Sequence, residues 1–76
     1  MANNSSEIIT IPLLPIRLGQ FIKLAEIVSE GSEATSLIAS GIITVNGATE
    51  KRRGRKLQSG DIVEVNGKLW RIATKE

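Results

Sequence analysis

The chain reads as an α+β fold, two short helices packed on one small, mostly antiparallel sheet. Three observations predict it. A helical apolar period runs over Leu18 to Val28, the period becomes that of strands after Gly41, and Asn-Gly occurs twice among β-branched residues.

The segment EIITI, residues 7–11, is rich in β-branched residues and ends at Pro12, the pattern of a short edge strand. Leu18, Phe21, Ile22 and Ala25 fall at i, i+3, i+4 and i+7. Leu24 and Val28 widen that stripe, with Gln20, Lys23 and Glu26 on the opposite face, so a first amphipathic helix is expected over 18–28. Ser29, Glu30 and Gly31 interrupt it. Ser32 is then the expected N-cap of a second helix, with Glu33 in the first turn where a carboxylate suits the helix dipole. Ala34, Leu37 and Ile38 form its buried face, Thr35, Ser36 and Ser40 point away, and Gly41 suits the C-terminal cap.

Both IITVNGATE and DIVEVNGKLWRI place Asn-Gly where a two-residue hairpin turn needs positive φ. A turn centred on Asn66-Gly67 sets Val63 opposite Trp70 and Val65 opposite Lys68, so Val63, Trp70 and Ile72 share a face and Trp70 belongs to the core. A Gly60-Asp61 turn precedes this hairpin. Three or so short strands are expected after the helices, with no repeat and no linker.

Seventy-six residues allow one domain at most, here 7–76 behind a polar, frayed segment of residues 1–6. A chain this short buries only about 60% of the surface its unfolded form exposes, which leaves little room for a substrate cavity. With no Cys and no His there is no disulfide and no zinc site of thiolate or imidazole ligands. Asp61 is the sole Asp and sits in a turn, and the glycines lack P-loop spacing. These features argue against an enzyme, a cofactor, a metal or a small-molecule substrate. The N-terminus lacks the pattern of a signal peptide and no apolar run approaches the roughly 20 residues of a membrane span, so a soluble, cytoplasmic protein without membrane contact is expected. Phe21 and Trp70 are the only aromatics, too few for a platform that stacks several bases.

The charge is unevenly spread. Lys51, Arg52, Arg53, Arg55 and Lys56 are half of the ten basic residues, and with Glu50 they give a local net charge of +4 against −2 for the rest of the chain. Gly54 breaks both helical and strand continuity and makes the run a bent, exposed loop. Five neighbouring cations repel one another unless a polyanion or nearby carboxylates offset them, and contact with a polyanion releases its counterions. A solvated surface loop is the plain alternative.

RLGQFIKL, GSEATSLIASGIITVNG, the basic run and LQSGDIVEV together resemble the RNA-binding domain named for ribosomal small-subunit protein four, the αL RNA-binding motif. The resemblance is strongest over residues 17–65, in Ala34, Leu37-Ile38, Gly41, Val45-Asn46-Gly47 and Gly60-Asp61, and it is closest to the short free-standing bacterial members. It implies two helices on a small curved sheet, with the helix pair and a neighbouring loop set against structured RNA. The contacts it implies are Arg17, Gln20 and Lys23 on the first helix, Ser32, Thr35 and Ser36 on the second, and Asn46 and Gly47 at a strand end. The chain departs from the pattern at two places. Gly19 stands where the family has Asp, and Glu30-Gly31 replace a Ser-Arg pair. The helix pair is therefore less cationic than usual, and the loop is expected to anchor the phosphate backbone while the helices read shape.

The expected function is non-catalytic binding of structured RNA, ribosomal or ribosome-associated, with ribosomal or RNA-processing proteins as further partners. Two alternatives stand beside it: an interaction module whose basic loop docks an acidic protein, and an accessory domain that delivers RNA to a modifying enzyme.

Overall fold

The hairpin at Asn66-Gly67 sets the frame of the sheet. Asn66 and Gly67 adopt φ of 53° and 82°, and strands β6 (Ile62–Val65) and β7 (Lys68–Thr74) pair with Val63 opposite Trp70 and Val65 opposite Lys68, the expected register. The computed structural model of the protein describes residues 6–11 and 15–74. The frayed segment foreseen at the N-terminus lies outside the described residues except Ser6, and so does Pro12.

The remaining elements are β1 (Ser6–Ile11), β2 (Ile16–Arg17), α1 (Leu18–Leu24), α2 (Gly31–Ala39), β3 (Ile43–Val45), β4 (Ala48–Thr49) and β5 (Lys56–Leu57). Five strands form a sheet in the order β1-β7-β6-β3-β4. β1 is the expected edge strand, but it runs parallel to β7 while the other three pairings are antiparallel, so the sheet is mixed. β2 and β5 form a separate two-residue ladder. Two-residue strands show no readable alternation, and this ladder escaped the sequence pattern. The fold is α+β, and none of its described helices is long and apolar enough to cross a membrane.

Alternation along the strands sends Ile43, Val45, Val63, Val65, Trp70 and Ile72 inward, where they meet Leu18, Phe21 and Ile22 of α1 and Ala34 and Ile38 of α2. Phe21 meets Trp70 edge to face, with ring centroids 6.3 Å apart. Trp70 is buried, as the register required.

Helix α1 stops four residues short of the expected Val28. The Glu26 amide donates to the Lys23 carbonyl at 3.0 Å and the Ile27 amide to that of Ile22 at 3.1 Å, the paired bonds of a Schellman motif. Glu26 takes the left-handed position at φ 61° that glycine usually fills. The early stop turns the chain, so Ile27 and Val28 reach the core edge and Leu24 is 54% exposed instead of widening the apolar stripe.

The N-cap of α2 is Glu30, not Ser32. Glu33, three residues on, accepts hydrogen bonds from the Glu30 amide at 3.2 Å and from the Ser29 amide at 3.0 Å. This carboxylate outcompetes the Ser32 hydroxyl and starts the helix two residues early. At the other end Ser40 is the C-cap, and the expected Gly41, one residue beyond it, takes φ 85° and donates to the Ile38 carbonyl at 3.2 Å.

Phe21→Ala removes a fully buried ring and is expected to cost about 3–5 kcal/mol. Leu24→Ala should stay within about 0.5 kcal/mol. Urea titrations followed by Trp70 fluorescence check the pair, and equal losses would contradict the early end of α1.

Candidate functional site

The two-residue turn at Asn46-Gly47 places Thr44 opposite Thr49, and continuing that pairing the Glu50 amide donates to the Ile43 carbonyl at 2.9 Å. Ile43 faces the core, so the same parity carries Glu50 inward, and it is 6% exposed. Its carboxylate accepts from the Arg52 amide at 3.1 Å, from Arg52 Nε at 2.9 Å and from Arg55 Nη1 at 2.7 Å. The bonds from Arg52, then the one from Arg55, hold the Glu50 carboxyl down at about 2 against an ordinary 4.5, more than offsetting the opposing effect of burial.

The loop closed by this carboxylate runs back against α1. A tight turn joins the Arg55 amide to the Arg52 carbonyl at 3.1 Å. The first amides of a helix have no acceptor within the helix, and here Leu18 donates to the Arg55 carbonyl at 2.8 Å and Gly19 to that of Arg53 at 2.9 Å. Gln20 completes the start by accepting from the Arg17 amide at 3.1 Å. The loop lies directly against Gly19, where a β-carbon would stand 3.4 Å from Arg53 Cγ, at the edge of ordinary van der Waals contact. The Arg17 guanidinium in turn lies 4.0 Å from where Gly54 would carry a β-carbon.

Arg17, Gln20 and Lys23 therefore line one groove with Gly31 and Thr35 of α2 and with Arg53-Gly54 of the loop, enclosing about 720 Å³. Among the described residues, Arg52, Arg55 and Lys68 make ion pairs, whereas Arg17, Lys23 and Arg53 make none. Three uncompensated cations thus converge on one concavity. The loop cations differ in role. Arg55 is largely covered by its pairing, while Arg52 keeps 75% of its side chain exposed and retains donors facing solvent. Lys51 lies across Gly41, with Cε 3.1 Å from a β-carbon built there, beside the negative end of the α2 dipole. Lys56 pairs with Arg17 through the β2–β5 ladder and is exposed.

The other expected residues stand elsewhere. Ser32 and Ser36 are exposed on α2 but line a second hollow with Glu26 and Glu33, and only Lys23 belongs to both. Hydrogen bonds from the Ser29 and Glu30 amides hold the Glu33 carboxyl below its usual range, so this side is anionic. Asn46 is exposed, yet its amide is engaged: Nδ2 donates to Asp61 at 3.1 Å and Oδ1 accepts from the Ile62 amide at 2.9 Å. Asp61 also accepts from the Gln58 amide at 2.8 Å, the expected turn role. Asn46 thus clamps one turn to another, and Gly47 supplies a positive φ of 87° beside it. Sequence reasoning missed the work of Glu50, although hairpin parity across Asn46-Gly47 was a usable signal for it. Among the described residues no group of three or more carboxylates could hold a metal ion.

Residues 9–73 match the S4 domain family. A probable ribosome maturation protein RlbA of Bacillus subtilis is 44% identical over 52 residues, which cover 68% of this chain and 73% of that protein. A tyrosine–tRNA ligase of Burkholderia lata is 35% identical over 60 residues, but these are 79% of this chain and only 14% of the ligase. Among solved structures, YbcJ of E. coli, described as having an αL motif involved in RNA binding, superposes with a TM-score of 0.66 at 27% identity, covering 96% of this chain and 91% of YbcJ. The 30S ribosomal protein S4e of Thermoplasma acidophilum gives a TM-score of 0.54 at 26% identity over 71% of this chain and 27% of S4e.

The clamp makes the stability of the site depend on pH. The folded Glu50 carboxyl titrates at about 2, below its ordinary 4.5, so the stabilisation it provides is fully present above about 4.5 and is lost as pH falls through about 2. Wild type should lose more stability than Glu50→Gln between pH 5 and 2, so that the two urea midpoints converge on acidification. Parallel curves would contradict the depressed value.

Proposed function

The chain belongs to the S4 domain family, and from that premise we propose that it is a non-catalytic module that binds structured RNA, ribosomal or ribosome-associated, in the cytoplasm. The observation that carries the reading is the convergence of Arg17, Lys23 and Arg53, without carboxylate partners among the described residues, on the groove between α1, α2 and the loop. Like charges gathered in a concavity repel, and a phosphate backbone relieves that repulsion while releasing its counterions. Gln20 and Thr35 on the groove wall supply neutral hydrogen-bonding groups suited to sugar hydroxyls and phosphate oxygens.

The relatives support the same reading: one is named for ribosome maturation, and the αL motif of YbcJ is described as involved in RNA binding. The anchoring assigned to five loop cations narrows in this proposal to Arg53, with Arg52 and Lys56 at its margin and Arg17 and Lys23 opposite. Ser32 and Ser36 join only if RNA crosses α2 toward the hollow lined by Glu26 and Glu33, and Asn46 and Gly47 serve the fold first.

Binding to a structured ribosomal RNA fragment, a single strand and a DNA duplex across a salt series tests the proposal. Wild type should prefer structured RNA. Arg53→Gln should weaken that binding roughly tenfold and make the log K against log salt slope shallower by about 1. Lys51→Gln, with the same loss of charge, should weaken it much less. Equal, weak binding to all three nucleic acids would overturn the proposal and favour an acidic protein partner.

A further inference from the structure

A carboxylate at the centre of a polyanion-binding loop opposes the ligand, and Glu50 is also the buried charged residue among those described. Its geometry resolves the conflict. The four hydrogen bonds it accepts from Arg52 and Arg55 fasten the two ends of the turn over 52–55, and the tip between them is Arg53-Gly54. The tip is where the Arg53 carbonyl receives the Gly19 amide, where the Arg53 stem lies against Gly19, and where the Arg17 guanidinium passes close to Gly54. Fastening both ends therefore fixes the direction in which Arg53 enters the groove.

We propose that Glu50 is a positioning residue for RNA: its buried carboxylate staples Arg52 to Arg55 and so aims Arg53 into the groove beside Arg17 and Lys23. This inference rests on the RNA-binding reading above. Neutralising Glu50 raises the net charge of the protein by one, so attraction for a polyanion without defined shape is kept or increased. Binding to folded RNA requires the cations at fixed separations, and it falls once Arg52 and Arg55 repel each other and the tip opens. Opposite signs for the two ligands separate positioning from simple charge.

The experiment uses the full chain, with Glu50→Gln beside wild type, and measures binding to a ribosomal RNA hairpin, to its single-stranded counterpart and to heparin. If wild type does not prefer the hairpin to the single strand, the RNA-binding reading itself fails. If it does, Glu50→Gln is expected to lose roughly tenfold in hairpin affinity while heparin affinity holds or rises. A rise with both ligands, or no change with the hairpin, would overturn the positioning role and leave the RNA-binding reading intact. Where Glu50→Gln fails to fold, Arg55→Gln is compared with Lys56→Gln, two losses of one charge of which only the first releases the staple. Greater hairpin loss in Arg55→Gln with equal heparin loss supports the proposal, and equal hairpin losses overturn it.

Discussion

Two hydrogen bonds, from the Leu18 amide to the Arg55 carbonyl and from the Gly19 amide to the Arg53 carbonyl, tie the site together. A seven-residue helix is too short to be stable alone, and α1 persists because its apolar face is buried and its first amides are satisfied by another segment. That segment is the basic loop. The β2–β5 ladder carries the chain into this contact, with Arg17 opposite Lys56. The same contact that completes the helix thus fixes the loop. Helix and loop become one rigid wall, so less conformational entropy remains to be lost when a ligand binds.

The electrostatics follow from this arrangement. A run of cations in a flexible loop would spread apart, but the Glu50 carboxylate gathers two of them and Lys51 settles against the end of α2. Repulsion is thereby removed where it would open the loop and left where cations face the groove. The negative side of the helix pair, around Glu26 and Glu33, gives the surface a polarity that favours one direction of approach for a polyanion. The positive φ of Glu26 and the Glu33 carboxylate that reaches back to the Glu30 N-cap create that side, so both acids help to define the helix boundaries as well as the field.

Much of this was legible in the residues. Asn66-Gly67 fixed a register, the register placed Trp70 inside, and β-branched residues before Pro12 marked the edge strand. What escaped had physical causes. The end of α1 depends on a glutamate adopting a conformation usually left to glycine, and periodicity alone carried the helix on to Val28. Ser32 is a good cap by type, but Glu33 reaches back to two amides and wins. The candidate site was legible as a set of residues and not as a surface. The sequence grouped five loop cations as equals, whereas their roles depend on which of them a single inward-facing carboxylate can reach. The family resemblance implies Asn46 as a contact, and the structure adds a role for the fold, since its amide is engaged by Asp61 and Ile62.

In this arrangement α1 and the basic loop form one preformed unit before any ligand arrives. Amide hydrogen exchange of the free protein at Leu18 and Gly19, followed by NMR, tests it most directly. The first amides of an ordinary exposed helix exchange almost without protection. In a preformed unit Leu18 and Gly19 are protected nearly as strongly as Val63 in the centre of the sheet. Exchange at the rates of an unstructured chain would mean that the loop closes on the helix only when a ligand is bound.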